Sequence, residues 1–205
     1  MKKVITIILS VILFSSACSE NAPLTNPDTI TIATFNIQWL GDGFDDIKPR
    51  SSKDYDNIAD IIRDLKADII AVEEVENSAA LKIILNRIDG YDFFISNKGS
   101  KQNVGIIYRK DISVESLGDY MPLEVSSGET RPGFIVKAQK GNFDFILMAV
   151  HFKSTSSYDS TAELKEKSRE LRSLQAEATV HWADSIISIG NENNIIIAGD
   201  FNDYP

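Results

Sequence analysis

Between residues 91 and 152 the chain carries a run of β-rich segments and no helical one. Tyr91–Ser96, Val104–Arg109, Ile112–Leu117, Phe134–Gln139 and Phe143–Phe152 are rich in β-branched and aromatic residues. Glycine-containing loops separate them, and Lys140-Gly141-Asn142 reads as a hairpin turn. Parallel neighbours need long crossover connections, usually helices, and this stretch has none. A simple doubly wound parallel sheet is therefore excluded. The stretch must fold through antiparallel hairpins.

Helices flank this block. Thr29–Ile37 reads as a strand, and Gly41-Asp42-Gly43 as a loop. Ser51 or Ser52 can cap a helix through about Lys66, with Tyr55, Ile58, Ile62 and Leu65 on one stripe. Asp68–Val75 is a short buried strand that ends among Glu73, Glu74 and Glu76. Asn77 caps a second helix, with Ala80, Leu81, Ile84, Leu85 and Ile88 inward and Gly90 as its stop. One long helix spans Thr161–Ile189, with Leu164, Leu171, Leu174, Ala178, Trp182, Ile186 and Ile189 as its apolar stripe and Gly190 after it. The apolar run Asn194–Ala198 then reads as a strand buried on both faces. The class is mixed α/β (α+β).

The 205 residues suit one domain with a sizeable core. Met1-Lys2-Lys3, the apolar run Val4–Phe14 and the small residues Ser15-Ser16-Ala17 have the layout of a secretory signal. The run is too short to span a bilayer as a mature helix. Ending at Cys18, the only cysteine, it resembles a bacterial lipoprotein processing site, with Ser15 where a leucine is usual. Cleavage before Cys18 would leave a lipid-bearing amino terminus on a membrane-anchored protein exported across the inner membrane. A plain signal peptide cut near Ala17 is the alternative. Residues 1–17 are thus read as signal, 18–29 as a polar tether and 30–205 as the domain. Loss of Lys2 and Lys3 takes the formal charge from −9 to about −11. That argues against a tight, sequence-blind nucleic-acid binder with a broad basic face.

Polar side chains gather where strands end: Asn36, Glu74, His151, and then Asp200 and Asn202 after Ile195-Ile196-Ile197-Ala198-Gly199. Alternation along a strand would send Asp200 and Asn202 out on one side. Open α/β folds commonly build sites at strand ends. Glu74 with the Asn36 amide oxygen would suit a hard cation such as Mg2+ or Mn2+. No HExxH, Cys/His cluster or Walker loop is present, which disfavours zinc and P-loop chemistry.

The ordered pieces FNIQ (35–38), DIIAVEEV (68–75), VGIIYR (104–109), TRP (130–132), HFKS (151–154), SRELRSLQAE (168–177) and IIIAGDFND (195–203) resemble the endonuclease/exonuclease/phosphatase superfamily. The resemblance implies a four-layer α/β sandwich, two packed mixed β-sheets with helices outside. It implies a metal site at Asn36 and Glu74, with Glu74 the main ligand. Asp200 and Asn202 match the pair that orients the attacking water and contacts the phosphate. His151 matches the histidine that assists the leaving oxygen, as acid or as phosphate donor. Arg131 matches a phosphate-contacting arginine, and Tyr108 falls near a site tyrosine of some relatives. Glu73 stands where glutamine is common and receives no role. His181, Trp39, Arg169 and Arg172 are read as structural. The family's general base, a histidine preceded by an aspartate, would follow Pro205, so the domain is expected to be incomplete.

The implied activity is Mg-dependent phosphodiester hydrolysis, nuclease-like, with nucleic acid as substrate and a monomeric, lipid-anchored protein. Two alternatives stay open: a sphingomyelinase-like or small-phosphoester phosphatase, and a non-catalytic surface-binding lipoprotein with the same fold.

Overall fold

The computed structural model describes residues 29–155, 159–190 and 194–203. The signal segment, the Cys18 lipidation site and tether residues 18–28 lie outside the described residues. The strands are β1 (Ile32–Leu40), β2 (Ile69–Val75), β3 (Tyr91–Ile95), β4 (Asn103–Arg109), β5 (Ser113–Tyr120), β6 (Gly133–Lys140), β7 (Phe143–His151) and β8 (Ile195–Asp200). The α-helices are α1 (Ser52–Leu65), α2 (Ser78–Leu85) and α3 (Ala162–Ile189).

Two four-stranded sheets form, ordered β1-β2-β4-β3 and β5-β6-β7-β8. In the first, β1 and β2 are parallel and the other pairs antiparallel. In the second, β7 and β8 are parallel and the hairpins β5-β6-β7 antiparallel. Both sheets are therefore mixed, as the helix-free middle of the sequence requires. Lys140 pairs with Phe143, closing the expected hairpin.

Period-two alternation makes the layers. Ile69 and Ala71 of β2 and Val104 and Ile106 of β4 pack against Phe134, Val136, Phe145, Leu147 and Ala149 of the second sheet. The opposite face of the first sheet, including Ile70 and Val72, packs on Tyr55, Ile58 and Ile62 of α1 and Leu81 and Ile84 of α2. Met148 and Val150 pack with Trp182 of α3. The result is the helix–sheet–sheet–helix sandwich. A buried ion pair fastens its far end: Lys140 Nζ lies 2.9 Å from Asp68 Oδ2, with side chains 12% and 4% exposed. The backbone N–H of Thr31 donates to the same carboxylate at 2.8 Å.

The ends of the helices follow capping chemistry. Ser51, rather than Ser52, caps α1 in a capping box with Asp54. Gly190 ends α3 in the left-handed conformation, φ 74°. Three expectations are corrected. First, α2 stops at Leu85, capped by Asn86, well before Gly90. Second, Leu164, Leu174 and Ile189 of α3 are exposed, while Ser168, Arg172, Gln175 and Thr179 are buried. The polar face turns inward because it meets backbone groups that no strand satisfies. Gln175 accepts from the Lys153 N–H at 2.8 Å and donates to Leu123 O at 3.3 Å. Arg172 donates to Lys153 O at 3.1 Å. Third, the Ile195–Ala198 run is half-buried, because β8 pairs only with β7 among the described residues.

Candidate active site

The parallel pairs β1/β2 and β7/β8 finish at the same end of the sandwich. There the polar strand ends meet across the two sheets. The Asn36 side chain donates to Glu74 Oε1 at 3.1 Å and to Asp200 Oδ2 at 2.9 Å. His151 lies beside Asp200 in strand register. Its Nε2 is 3.8 Å from Glu74 Oε1. Arg131 donates through Nη1 to His151 Nδ1 and through Nη2 to Gln102 Oε1, the latter at 3.0 Å. The structure thus gathers Asn36, Glu74, Arg131, His151 and Asp200 at one place.

The backbone is bent to make this fit. Between the pairs Asn36↔Glu73 and Leu40↔Val75 the register shifts, so residues 37–39 of β1 stand against Glu74 alone. Between Val72↔Gly105 and Val75↔Asn103 the register shifts again, with residues 73 and 74 against Val104. Such bulges re-aim side chains at strand ends. Glu74 sits at φ 60°, a left-handed conformation that is costly for a residue with a Cβ.

Electrostatics set the state of each group. Burial, then the adjacent Arg131 charge, lowers the His151 pKa to about 3, so the imidazole is neutral at ordinary pH. Because Arg131 donates to Nδ1, the ring proton sits on Nε2, facing Glu74. The 3.8 Å contact is therefore not an ion pair, and His151 stands ready as a hydrogen-bond donor. Burial draws the Arg131 guanidinium below its ordinary value, opposed by the nearby charges of Glu74 and Asp200. Glu73 is fully buried, and burial raises its pKa to about 8. The Thr34 hydroxyl donates to its Oε1 at 2.9 Å, while Oε2 has no partner among the described residues.

Glu74 and Asp200 share one amide nitrogen and are thus held close together. Neither forms an ion pair with a lysine or arginine among the described residues. Two converging carboxylates that touch no cation, with Arg131 acting on them only at longer range, suit a hard, oxygen-seeking dication. Asn36 departs from the expected ligand pose. Its Oδ1 accepts from the Gln38 N–H at 3.0 Å, and its Nδ2 faces the carboxylates. Glu74 and Asp200, rather than Glu74 and the Asn36 oxygen, are the converging donors. A second acidic group, Asp42, Asp46 and Glu76, lies beside the β1–α1 loop. Its oxygens already accept from Asn77, from the Gly43 N–H and from Lys101.

Two further expectations are corrected. Tyr108 pairs with Ile69, at the start of β2, and stacks on Phe94 with ring centroids 5.3 Å apart. At about 3.3 Å per residue it lies about 17 Å along β4 from Asn103 and the site. It is a partly buried residue packed against the core between the sheets. Asn202 does not follow Asp200 by strand alternation, because β8 ends at Asp200. Asn202 turns at φ 52°; its N–H donates to Asp200 Oδ1 at 2.9 Å and its side chain to Phe152 O at 3.0 Å. It is joined to Asp200 by a turn and tied to Phe152, the residue after β7. Sequence reading missed Gln102, which holds Arg131, because nothing local marks it. It also missed the neutral state of Glu73, although the apolar run before it was a signal. His181 is exposed on α3.

Comparison with solved structures agrees with this architecture. Truncated Caenorhabditis elegans TDP2 matches with a TM-score of 0.64 at 22% identity, over 85% of this chain and 63% of that one. D. rerio TDP2 complexed with single strand DNA product matches with a TM-score of 0.59 at 17% identity, over 86% and 62%. The Bacteroides thetaiotaomicron mannosyl-6-phosphatase matches with a TM-score of 0.58 at 18% identity, over 85% and 66%. The chain spans less than two thirds of the length of these TDP2 chains. Comparison with curated protein sequences gives no match. At these identities the likeness concerns the fold, while a sequence model covers nearly the whole described domain. That model, of the Endonuclease/Exonuclease/phosphatase family, matches residues 33–205, and the chain belongs to this family.

Proposed function

We propose that the protein is a divalent-cation-dependent phosphodiester hydrolase acting on nucleic acid, with Mg2+ as the cation. The observation that carries this reading is Arg131. It is a largely desolvated guanidinium held by two neutral acceptors, His151 and Gln102, with no carboxylate partner among the described residues. A guanidinium in a partly buried site, offset only by the more distant charges of Glu74 and Asp200, is stabilised when an anion arrives to meet it. A phosphate group matches the planar fork of arginine.

The other roles follow from position. Glu74 and Asp200 would hold the cation, which supplies charge neutralisation at the phosphoryl oxygens. His151 donates from Nε2 to a phosphoryl or leaving oxygen. Asp200, its Oδ1 fixed by the Asn202 N–H, is placed to orient a water. Among the described residues no histidine is positioned as general base, since His151 is the donor and His181 is remote.

Supercoiled plasmid incubated with the protein in Mg2+ should be nicked. Nicking should stop in EDTA and fall at least about 100-fold in Glu74→Gln. The likeness to a mannosyl-6-phosphatase favours a second reading, a sugar phosphomonoesterase. Phosphate release from mannose 6-phosphate with an intact plasmid would replace the first reading by the second. Activity on neither would sink both. The amino-terminal segment supports export and lipid anchoring at Cys18. Absence of radioactive fatty acid on the wild-type protein expressed in a bacterium would refute the anchor.

A further inference from the structure

We propose that Trp39 is a stacking platform for the nucleobase next to the scissile phosphate, in a substrate groove that Arg131 also lines. The inference rests on the phosphodiesterase reading and adds a base-recognising residue to it.

A groove of about 380 Å³ runs beside the site, between the β1–α1 loop, the β3–β4 turn and the β5–β6 connection. Arg131 and Gln102 line it together with Trp39, Ile47, Lys98 and Lys101. An ester bound with its phosphate on Arg131 would therefore extend into it.

Trp39 is held there at a conformational cost. Gln38 and Trp39 are consecutive non-glycine residues in the left-handed region, at φ 55° and 59°. That strain needs an external restraint. Arg50 supplies one by donating to Ile37 O at 2.6 Å and Gln38 O at 2.7 Å. Lys48 adds a contact to Gln38 Oε1 at 2.6 Å, and Asn36 Oδ1 accepts the Gln38 N–H. The amide that bridges Glu74 and Asp200 thus also fixes the turn that presents Trp39. The half-buried indole has no aromatic neighbour and no hydrogen-bond partner among the described residues. A half-buried ring face without an aromatic neighbour is free to stack on a planar ligand.

Charge favours an anionic occupant despite the acidic chain. Glu129 is neutralised by Lys167 at 2.8 Å and Glu76 by Lys101 at 2.9 Å. Glu124 is the groove's remaining acid. Against it stand Arg131 and Lys98, neither of which has an ion-pair partner among the described residues. A polynucleotide supplies both features at the right places: a ring for Trp39 and a second phosphate for Lys98.

The test is binding of labelled hexathymidylate and of an abasic hexamer with the same number of phosphates, followed by anisotropy at low salt in EDTA. Wild-type protein should bind the thymidylate about ten-fold more tightly than the abasic hexamer. Trp39→Ala should lose that difference and leave the abasic affinity unchanged. Thymidylate should quench the intrinsic fluorescence of wild type and not that of Trp39→Phe, because the other tryptophan, Trp182, is buried. Lys98→Ala should weaken both ligands equally and lower the salt slope by about 1. Equal affinity for the two hexamers, an equal loss in Trp39→Ala, or binding of neither overturns the proposal. Plasmid nicking in Mg2+, read separately, then decides whether the phosphodiesterase reading survives it.

Discussion

Replacing Glu73 by glutamine should stabilise the protein, and should do so more strongly as the pH rises. The side chain is fully buried at the end of β2. Burial lifts its carboxyl from an ordinary 4.5 to about 8, with the charges of Asp200 and Glu74 adding to the effect and the Thr34 hydroxyl opposing it. Below pH 4.5 the group is neutral in both the folded and unfolded chain and contributes no pH dependence. Between 4.5 and 8 the unfolded chain releases the proton while the folded protein keeps it, so stability is lost steadily. Over that window, at about 1.4 kcal/mol per pH unit, the loss approaches about 5 kcal/mol. Glutamine keeps the shape and the Thr34 contact and has no proton to release. The assay is urea unfolding of both proteins in EDTA across pH 4.5 to 8. The two curves should coincide at the acid end and separate by several kcal/mol at the alkaline end. The variant's melting temperature there should be about 10–20 °C higher. Parallel stability profiles would refute the reasoning, because they would mean that Glu73 ionises in the folded protein as it does in the unfolded one.

Other consequences are equally open to measurement. Lys140→Met strands the buried Asp68 carboxylate and should cost about 3–5 kcal/mol in urea unfolding, most of it recovered in the double variant with Asp68→Leu. Gly199→Ala would place a Cβ 1.9 Å from Val150 O at φ 145°, and should lower stability by about 3 kcal/mol or prevent folding. Arg131→Lys keeps the charge but cannot reach His151 and Gln102 together. Its kcat/KM should fall about 100-fold, against an unchanged unfolding curve, if phosphate is held there.

Much of the architecture is legible in the chain itself, because it is written in local chemistry. β-branched runs without intervening helices demanded antiparallel hairpins, and the observed β5-β6-β7 meander is what they form. Ser51, Asn77 and Thr161 mark helix starts, since a short polar side chain satisfies the first free N–H groups. The polar residues at strand ends were legible for the same reason: a carboxylate, an amide or an imidazole directly after an apolar run has few structural uses. The order of those pieces also carried the family resemblance.

What the tertiary structure decided is everything that depends on contact between distant segments. Asn36 could be seen as a polar strand-end residue, yet only the packing of β1 against β8 showed its amide shared between Glu74 and Asp200. Tyr108 looked like a site residue because VGIIYR resembles the family. The antiparallel register of β4 on β2 carries it to the other end of the sheet. Helical periodicity put Leu164 and Leu174 inside α3, but backbone groups of Lys153 and Leu123 drew Arg172 and Gln175 inward instead. Trp39 read as structural, and the register shift between β1 and β2 places it in the groove that Arg131 also lines. Local pattern determines which residues can form strands, caps and polar ends. Register, bulges and the protonation of buried groups are set by partners far away in the chain, and only the folded arrangement brings those partners together.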